Sequence, residues 1–400
     1  MKILFRRELN LIWWINLGIC VSYTAHGAML PLLMKARGLG EGEIGFALGM
    51  LSVGMVLGFF LTGRAIDRLE RRWFILAGGL IWALTSLLAW FAVSMLAVAL
   101  LRLLQGFGYS ILYTASLVYA TQALPPSWRG RVVGMVEAIG AVGIAVTPVV
   151  VYALADRFGF GAVLWLAGVT GLLVGLSALL LPPQVRGADG AVVRVRAGPG
   201  GWLHPAALAP GLVAFCLFFC ASAFISLAPL VALRLGLVQV GLFLGLRALG
   251  TVPSRLASGY IADRFGPGWA IGVGYAVAAL ALGLVPLLRG EAASLGLALV
   301  FGLGMGLASP ALSSWLLART PISEQAVALN TFYIFTEGSG FIGAWAFGLG
   351  LEQIGLSSLY GLSAVLVLGL LGYAALRLRS ASPRAAFSPQ GPKGSDDGSV

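Results

Sequence analysis

Charge is what this chain most lacks. Only 10% of its 400 residues are charged, where an average soluble domain carries about 25%. So few charges do not cover a water-facing surface, which excludes a soluble globular fold. Histidine is nearly missing, and with His26 and His204 alone no His-based metal site is expected. The three cysteines, Cys20, Cys216 and Cys220, all fall inside apolar runs without a metal-ligand pattern, so no disulfide framework is implied. No phosphate-cradling loop with a following Lys and Ser/Thr is present, which sets ATP-driven pumping aside. No enzyme motif stands out either, and no catalytic residue or cofactor is expected.

What the chain has instead is length without polarity. It is 59% hydrophobic. Apolar stretches of about 20 residues recur along it, each long enough to cross roughly 30 Å of hydrocarbon. Twelve helices are expected, at Leu11–Met34, Ile44–Thr62, Trp73–Val93, Leu96–Leu124, Val132–Ala155 and Ala162–Leu181, then Ala206–Leu233, Val238–Ser258, Trp269–Leu288, Ala293–Ala318, Gln325–Leu351 and Leu356–Leu378. The first run follows Lys2, Arg6 and Arg7 but is too long for a signal-peptide core, so it reads as a retained helix. The fourth, seventh and eleventh runs are long and predict tilt or bending. Pro148, Pro229, Pro253, Pro286 and Pro310 fall in or near helices, which membrane helices tolerate when neighbours satisfy the freed carbonyls.

The net charge of +11 does not read as a nucleic-acid footprint. With the N-terminus inside, 19 of the 26 Lys and Arg fall at cytoplasmic positions, five outside, and two, Arg102 and Arg247, within the membrane. That is the cytoplasmic bias of basic loops, and it predicts both termini inside a multi-pass protein of a bacterial inner membrane. The segment 182–205 is Gly- and Pro-rich with Arg186, Arg194 and Arg196, and reads as a cytoplasmic linker. The expected organisation is one six-helix bundle over 1–181, that linker, a second bundle over 206–378, and a disordered cytoplasmic tail over 379–400.

A repeat links the two halves. Gly63-Arg64-Ala65-Ile66-Asp67-Arg68-Leu69-Glu70-Arg71-Arg72 returns in skeleton as Gly259-Tyr260-Ile261-Ala262-Asp263-Arg264-Phe265-Gly266, displaced by 196 positions. The same displacement carries Gly106 and Gly108 onto Gly302 and Gly304, Pro125 onto Pro321, Asp156 onto Glu352 and Gly159 onto Gly355. An unbroken register over half the chain predicts duplication, an architecture of transporters whose site lies at the repeat interface. Arg residues in the repeated loop fit ordinary inside anchoring. Asp67 and Asp263 do not, because acids contribute little to topology. They are candidates for gating, together with Gly63, Arg68, Arg71, Gly259 and Arg264.

Gly63 to Arg68, followed by Arg71 and Arg72, resembles the loop between helices 2 and 3 of the major facilitator superfamily. The second glycine of that motif is replaced by Glu70 and kept at Gly266. Arg102-Leu103-Leu104-Gln105-Gly106 with Gly108 resembles the same superfamily's fourth-helix motif. A helix-5 motif of its drug/proton antiporters is only partly present: Gly143 and Pro148 remain, while Thr147, Val151 and Tyr152 stand where other glycines are expected. The resemblance implies an all-α membrane protein of two pseudo-symmetric six-helix bundles around a central cavity, working by alternating access. It also implies a coupling role for Arg102.

Ionisable residues inside a membrane are costly and face a cavity or a partner. The candidates are His26, Arg102, Glu137, Arg247 and Glu337. Counting along the helices puts Glu337 roughly 20 Å from its inner end and Arg247 roughly 14 Å from its outer end. Both are then near the midplane, where they form a pair or share a site. Asn330, Tyr333 and Glu337 share one helix face, as do Arg102, Gln105 and Tyr113. Glu137 lies nearer the inner surface, with Arg129 or Arg131 as alternative partners. The expectation is a monomeric secondary transporter. Its partners are a small-molecule substrate, protons and the bilayer, with no nucleic acid, and a proton gradient is its energy source. Antiport exporting an organic molecule or drug leads, with uptake of a metabolite by symport or facilitation as the alternative. A receptor or scaffold that has lost transport is the reading from another class.

Overall fold

A computed structural model describes residues 7–65, 70–122, 129–183, 203–287, 290–321 and 324–379. Asp67 and Arg68, most of the expected linker and the C-terminal tail lie outside the described residues. The helices are α1 (Arg7–Ala36), α2 (Glu41–Ala65), α3 (Arg71–Ala89), α4 (Met95–Gln122), α5 (Arg129–Ser177), α6 (Pro205–Ile225), α7 (Ala228–Arg234), α8 (Val240–Phe265), α9 (Pro267–Leu284), α10 (Glu291–Leu317), α11 (Gln325–Gln353) and α12 (Gly355–Arg379). Among the described residues, seven helices are long and apolar enough to cross a membrane on length and composition.

Two departures from the expected helices have local causes. The fifth and sixth runs join into the 49-residue α5, divided only where Gly159 adopts φ 81° and ψ 168°. The seventh run breaks at Ser226 and Leu227, and Pro229 starts the short α7. Proline has no N–H to continue a helix but suits a first turn, so the run restarts there. The expected bend of that run is therefore a full interruption.

The duplication shows in atomic contacts. Lipid tails are as apolar as Leu, so membrane helices associate through close backbone approach at small residues. A Cβ placed on Gly106 of α4 would overlap the Leu51 carbonyl oxygen of α2. Displaced by 196, a Cβ on Gly302 of α10 would overlap the Arg247 carbonyl oxygen of α8. Gly54 abuts the Leu103 carbonyl, and Gly250 abuts the Leu299 carbonyl. Gly78 would place its Cβ 2.5 Å from the Gly108 oxygen, and Gly274 would place its Cβ 2.7 Å from the Gly304 oxygen. Every partner obeys the same offset.

The crossings between the halves obey it too. Gly45 of α2 abuts the Ala344 carbonyl of α11, and a Cβ on Gly241 of α8 would lie 2.9 Å from the Pro148 oxygen of α5. A Cβ on Gly49 would lie 2.9 Å from the Phe341 oxygen, and one on Gly245 would lie 2.9 Å from the Ala145 oxygen. The protein is thus two pseudo-symmetric six-helix bundles that touch through α2 on α11 and α5 on α8, with a smaller contact of α1 on α7. These glycine contacts fall in the half of the molecule that carries the α1–α2 turn, called here the Glu41 face. Toward the opposite face α8 is bare: Leu256 and Tyr260 are exposed, and a Cβ on Gly259 would meet nothing within 4 Å.

Candidate functional site

The expected helix-4 stripe folds into a buried polar chain. Arg102 donates from Nη1 to Gln105 Oε1 at 2.7 Å, and Gln105 Nε2 donates to Ser86 Oγ of α3 at 2.8 Å. Residues three apart on a helix share a face, which makes the first bond possible. All three side chains are buried. The Arg102 Nε has no partner among the described residues.

Beside this chain stands an aromatic cluster from three helices. Tyr23 of α1 lies 5.2 Å from Tyr109 of α4 and 6.0 Å from Trp82 of α3, measured between ring centres. Tyr109 stacks on Tyr113 at 5.8 Å. Trp82 is anchored by its indole N–H, which donates to Ser22 Oγ at 2.7 Å. His26 meets the Trp82 ring edge-on at 6.2 Å and is 1% exposed, yet neither ring nitrogen has a partner among the described residues. Such a buried polar group is costly unless something else reaches it.

The second bundle contributes Arg247 and Glu337. Glu337 takes a hydrogen bond from Ser52 of α2. Tyr23 lies within electrostatic reach of Glu337, Arg102 and Arg247 together, so it marks the centre of the site. No ion pair joins Glu337 to Arg247 among the described residues, and the Arg247 Nε has no partner there. Equal depth therefore brings the two into one site without pairing them. A Cβ on Gly338 would meet nothing within 4 Å, so the backbone beside Glu337 borders open space. Toward the opposite face Tyr333 stacks on Phe59 of α2 at 6.2 Å, and both Tyr333 and Asn330 are exposed.

Other expected residues fall elsewhere. The side chains of Glu137, Gly63 and Asp263 lie outside the described residues. Arg71 opens α3. Arg264 donates to the Tyr260 hydroxyl at 2.7 Å on the exposed end of α8. In the helix-5 motif, Thr147 donates to the Gly143 carbonyl at 2.6 Å, and Pro148 offers its carbonyl to the Gly241 crossing. That motif thus sits at the junction of the bundles.

One feature escaped the sequence. Glu41, 2% exposed at the start of α2, accepts from Arg234 Nε at 3.0 Å and Nη2 at 2.8 Å, and Lys35 lies at 3.4 Å. Glu352 of α11 accepts from the Gly42 N–H at 3.2 Å next to it. This bidentate pair joins the two bundles at the Glu41 face. The signal was an acid placed among Lys35, Arg37 and Arg234, three basic residues counted only for topology.

The family model described as Major Facilitator Superfamily matches residues 12–344 and again 211–396. Among curated relatives, human solute carrier family 2, facilitated glucose transporter member 10 is 33% identical over 157 residues, which is 39% of this chain and 29% of that protein. The putative niacin/nicotinamide transporter NiaP of Bacillus subtilis is 30% identical over 119 residues, 30% of each chain. Multidrug resistance protein MdtL of Shewanella sp. is 27% identical over 145 residues, covering 36% of this chain and 37% of that protein. The chain thus matches only about a third of the length of these relatives. Among solved structures, a bacterial homologue of the human lysosomal transporter Spinster, inward-facing and unoccupied, superposes with TM-score 0.77 at 17% identity over 96% of this chain and 98% of that one. The nucleoside transporter NupG superposes at 0.76 with 15% identity over 95% of this chain and all (100%) of that one.

Proposed function

We infer, from the premise that the chain belongs to the Major Facilitator Superfamily, that this membrane transporter moves a small organic molecule by proton-coupled alternating access, with Glu337 as the proton-carrying group. The carrying observation is the site around Tyr23, within electrostatic reach of charged residues from both bundles, with the glycine-lined crossings between the bundles lying toward the Glu41 face among the described residues. On the reading that both termini are cytoplasmic, the Glu41 face is extracellular, which supports taking this conformation as inward-open.

An intramembrane carboxyl can carry a proton when its access alternates between the two faces. Glu337, half-buried on α11 with open space at Gly338, has that position. Tyr23 of α1 lies within electrostatic reach of it, and Ser52 of α2 lies beside it. Export by antiport draws support from likeness to MdtL, named as a multidrug resistance protein, and from the helix-5 residues Gly143 and Pro148. The cavity charge favours the second reading, symport. Two guanidinium groups and one carboxylate lie within electrostatic reach of Tyr23, so on this reading protonating Glu337 strengthens rather than opposes binding of an anion there.

The test uses proteoliposomes loaded with a pH-sensitive dye and challenged with charged and neutral organic molecules. Substrate-driven proton movement is expected in the wild type and lost in Glu337→Gln, with the melting temperature unchanged. Acidification of the lumen on adding substrate means symport, and alkalinisation means antiport. Undiminished proton movement in Glu337→Gln removes that residue from the role.

A further inference from the structure

The charges of the central site do not balance, and the imbalance names a ligand. Arg102 and Arg247 are guanidinium groups, which stay charged in proteins and offer donors in a planar fork. Within electrostatic reach of Tyr23 they are joined by one carboxylate, Glu337, among the described residues. One positive charge is left over at a depth where a lone charge is expensive. The same region holds polar atoms without partners among the described residues: the donors Nε of Arg102 and Nε of Arg247, and the two ring nitrogens of His26, one a donor and one an acceptor when neutral, on a side chain only 1% exposed. A protein that buries such groups without partners leaves them for something that arrives.

The shape of the surroundings adds a second requirement. Tyr23, Tyr109 and Tyr113 form a partly open aromatic wall against the Arg102 chain, with Tyr109 and Tyr113 stacked nearly parallel at 6°. Such faces take planar apolar bodies at ring-centre separations of about 4.5–7 Å. Symmetry argues in the same direction. Displaced by 196, Tyr23 becomes Phe219, His26 becomes Ser222, Arg102 becomes Ala298 and Arg247 corresponds to Leu51. The glycines at the main helix crossings keep their counterparts across the repeat, whereas these residues do not. Tyr23, Arg102 and Arg247 lie in mutual electrostatic reach through Tyr23, and His26 lies in reach of Arg102.

We propose that the site binds an organic monoanion with a planar apolar body, an aromatic carboxylate in chemical class. Its anionic end lies between Arg102 and Arg247, and its ring lies against the tyrosine wall. This rests on the reading of the central site as the transport site. Arg102 is already committed through Nη1 to Gln105, so it orients one edge of the carboxylate. Arg247 is half-buried and has no such commitment to a side chain among the described residues, which makes it the group whose loss costs most affinity without disturbing a buried network.

Three probes of one shape separate the charge classes: benzoate, benzamide and benzylamine, titrated against the purified full-length protein by thermal shift and tryptophan fluorescence. Benzoate is expected to bind at or below about 1 mM, the weak end of ordinary substrate affinities. Benzamide should bind at least about tenfold more weakly, the factor carried by a charge-assisted hydrogen bond. Benzylamine should not compete. Arg247→Gln should lose benzoate binding by the same factor and keep the wild-type melting temperature, while Arg247→Lys recovers part of it. Equal binding of benzamide, preference for benzylamine, undiminished benzoate binding in Arg247→Gln, or no response to any probe overturns the assignment. Binding of benzoate without its movement in proteoliposomes keeps the ligand class and overturns the transport reading. Movement of benzylamine and not benzoate does the reverse.

Discussion

Replacing Glu41 by Gln should release the closed face of the protein. Glu41 is buried, and its carboxylate takes two hydrogen bonds from Arg234 at 3.0 and 2.8 Å. The side chains are 3% and 38% exposed, so one partner is dry and the other is partly solvated. At an effective dielectric of about 20, two unit charges 3 Å apart attract by roughly 5 kcal/mol. Desolvation of Glu41 and screening at Arg234 remove much of that, which leaves about 2 kcal/mol, in the lower range measured for close charge pairs at interfaces. Lys35 stays in the same bundle as Glu41, whereas Arg234 departs when the bundles separate at this face. The loss therefore falls on one state only, and the equilibrium shifts by about 30-fold. An open minor state of about 1% then rises to roughly a quarter of the population. Spin labels at Val93 and Val238, exposed on this face in opposite bundles, report the change as a new long-distance component. Arg234→Gln should give the same shift, and the double variant little more, because the two act as one interaction. A distance distribution identical in wild type and Glu41→Gln, or full additivity, refutes the argument.

Two further outcomes follow from the glycine crossings and the repeated loop. Gly45→Ala should destabilise the closed face by about 1–3 kcal/mol, an overpacking cost, because its Cβ collides with the Ala344 backbone. Gly241→Ala should cost less despite the pseudo-symmetry, since its Cβ would lie 2.9 Å from the Pro148 oxygen, and thermal unfolding at both sites checks the order. Asp67→Asn should shift the inward/outward balance, read by cysteine accessibility from each side, and unchanged accessibility reduces that loop to a topology signal.

Much of the architecture was written in the chain because membrane physics is restrictive. Apolar length marks each span, and a fixed offset between repeated residues marks duplication. The offset of 196 proved to be a contact map as well, since Gly54 and Leu103 predict Gly250 and Leu299. The interruption before α7 was less legible, because Pro229 in a long apolar run is compatible with a kink or a full break. Depth along a helix placed Glu337 and Arg247 at one level but said nothing of the direction in which each side chain points. The Glu41–Arg234 pair was hard to read for a different reason. Its partners are 193 residues apart, and a rule that counts loop charge does not say which base meets which acid.

The paired glycine crossings have a mechanical consequence. At α2 on α11 and at α5 on α8 backbone meets backbone, so the bundles rest on two bearings, with Phe46 packed edge-on against Phe341 and Trp345 beside the first. Two fixed bearings leave a rigid pair of bodies one easy rotation, about the line that joins them. A rocker with a single axis cannot open one mouth without narrowing the other. On the proposed alternating-access reading, the charge latch at Glu41 would therefore bear on both mouths at once.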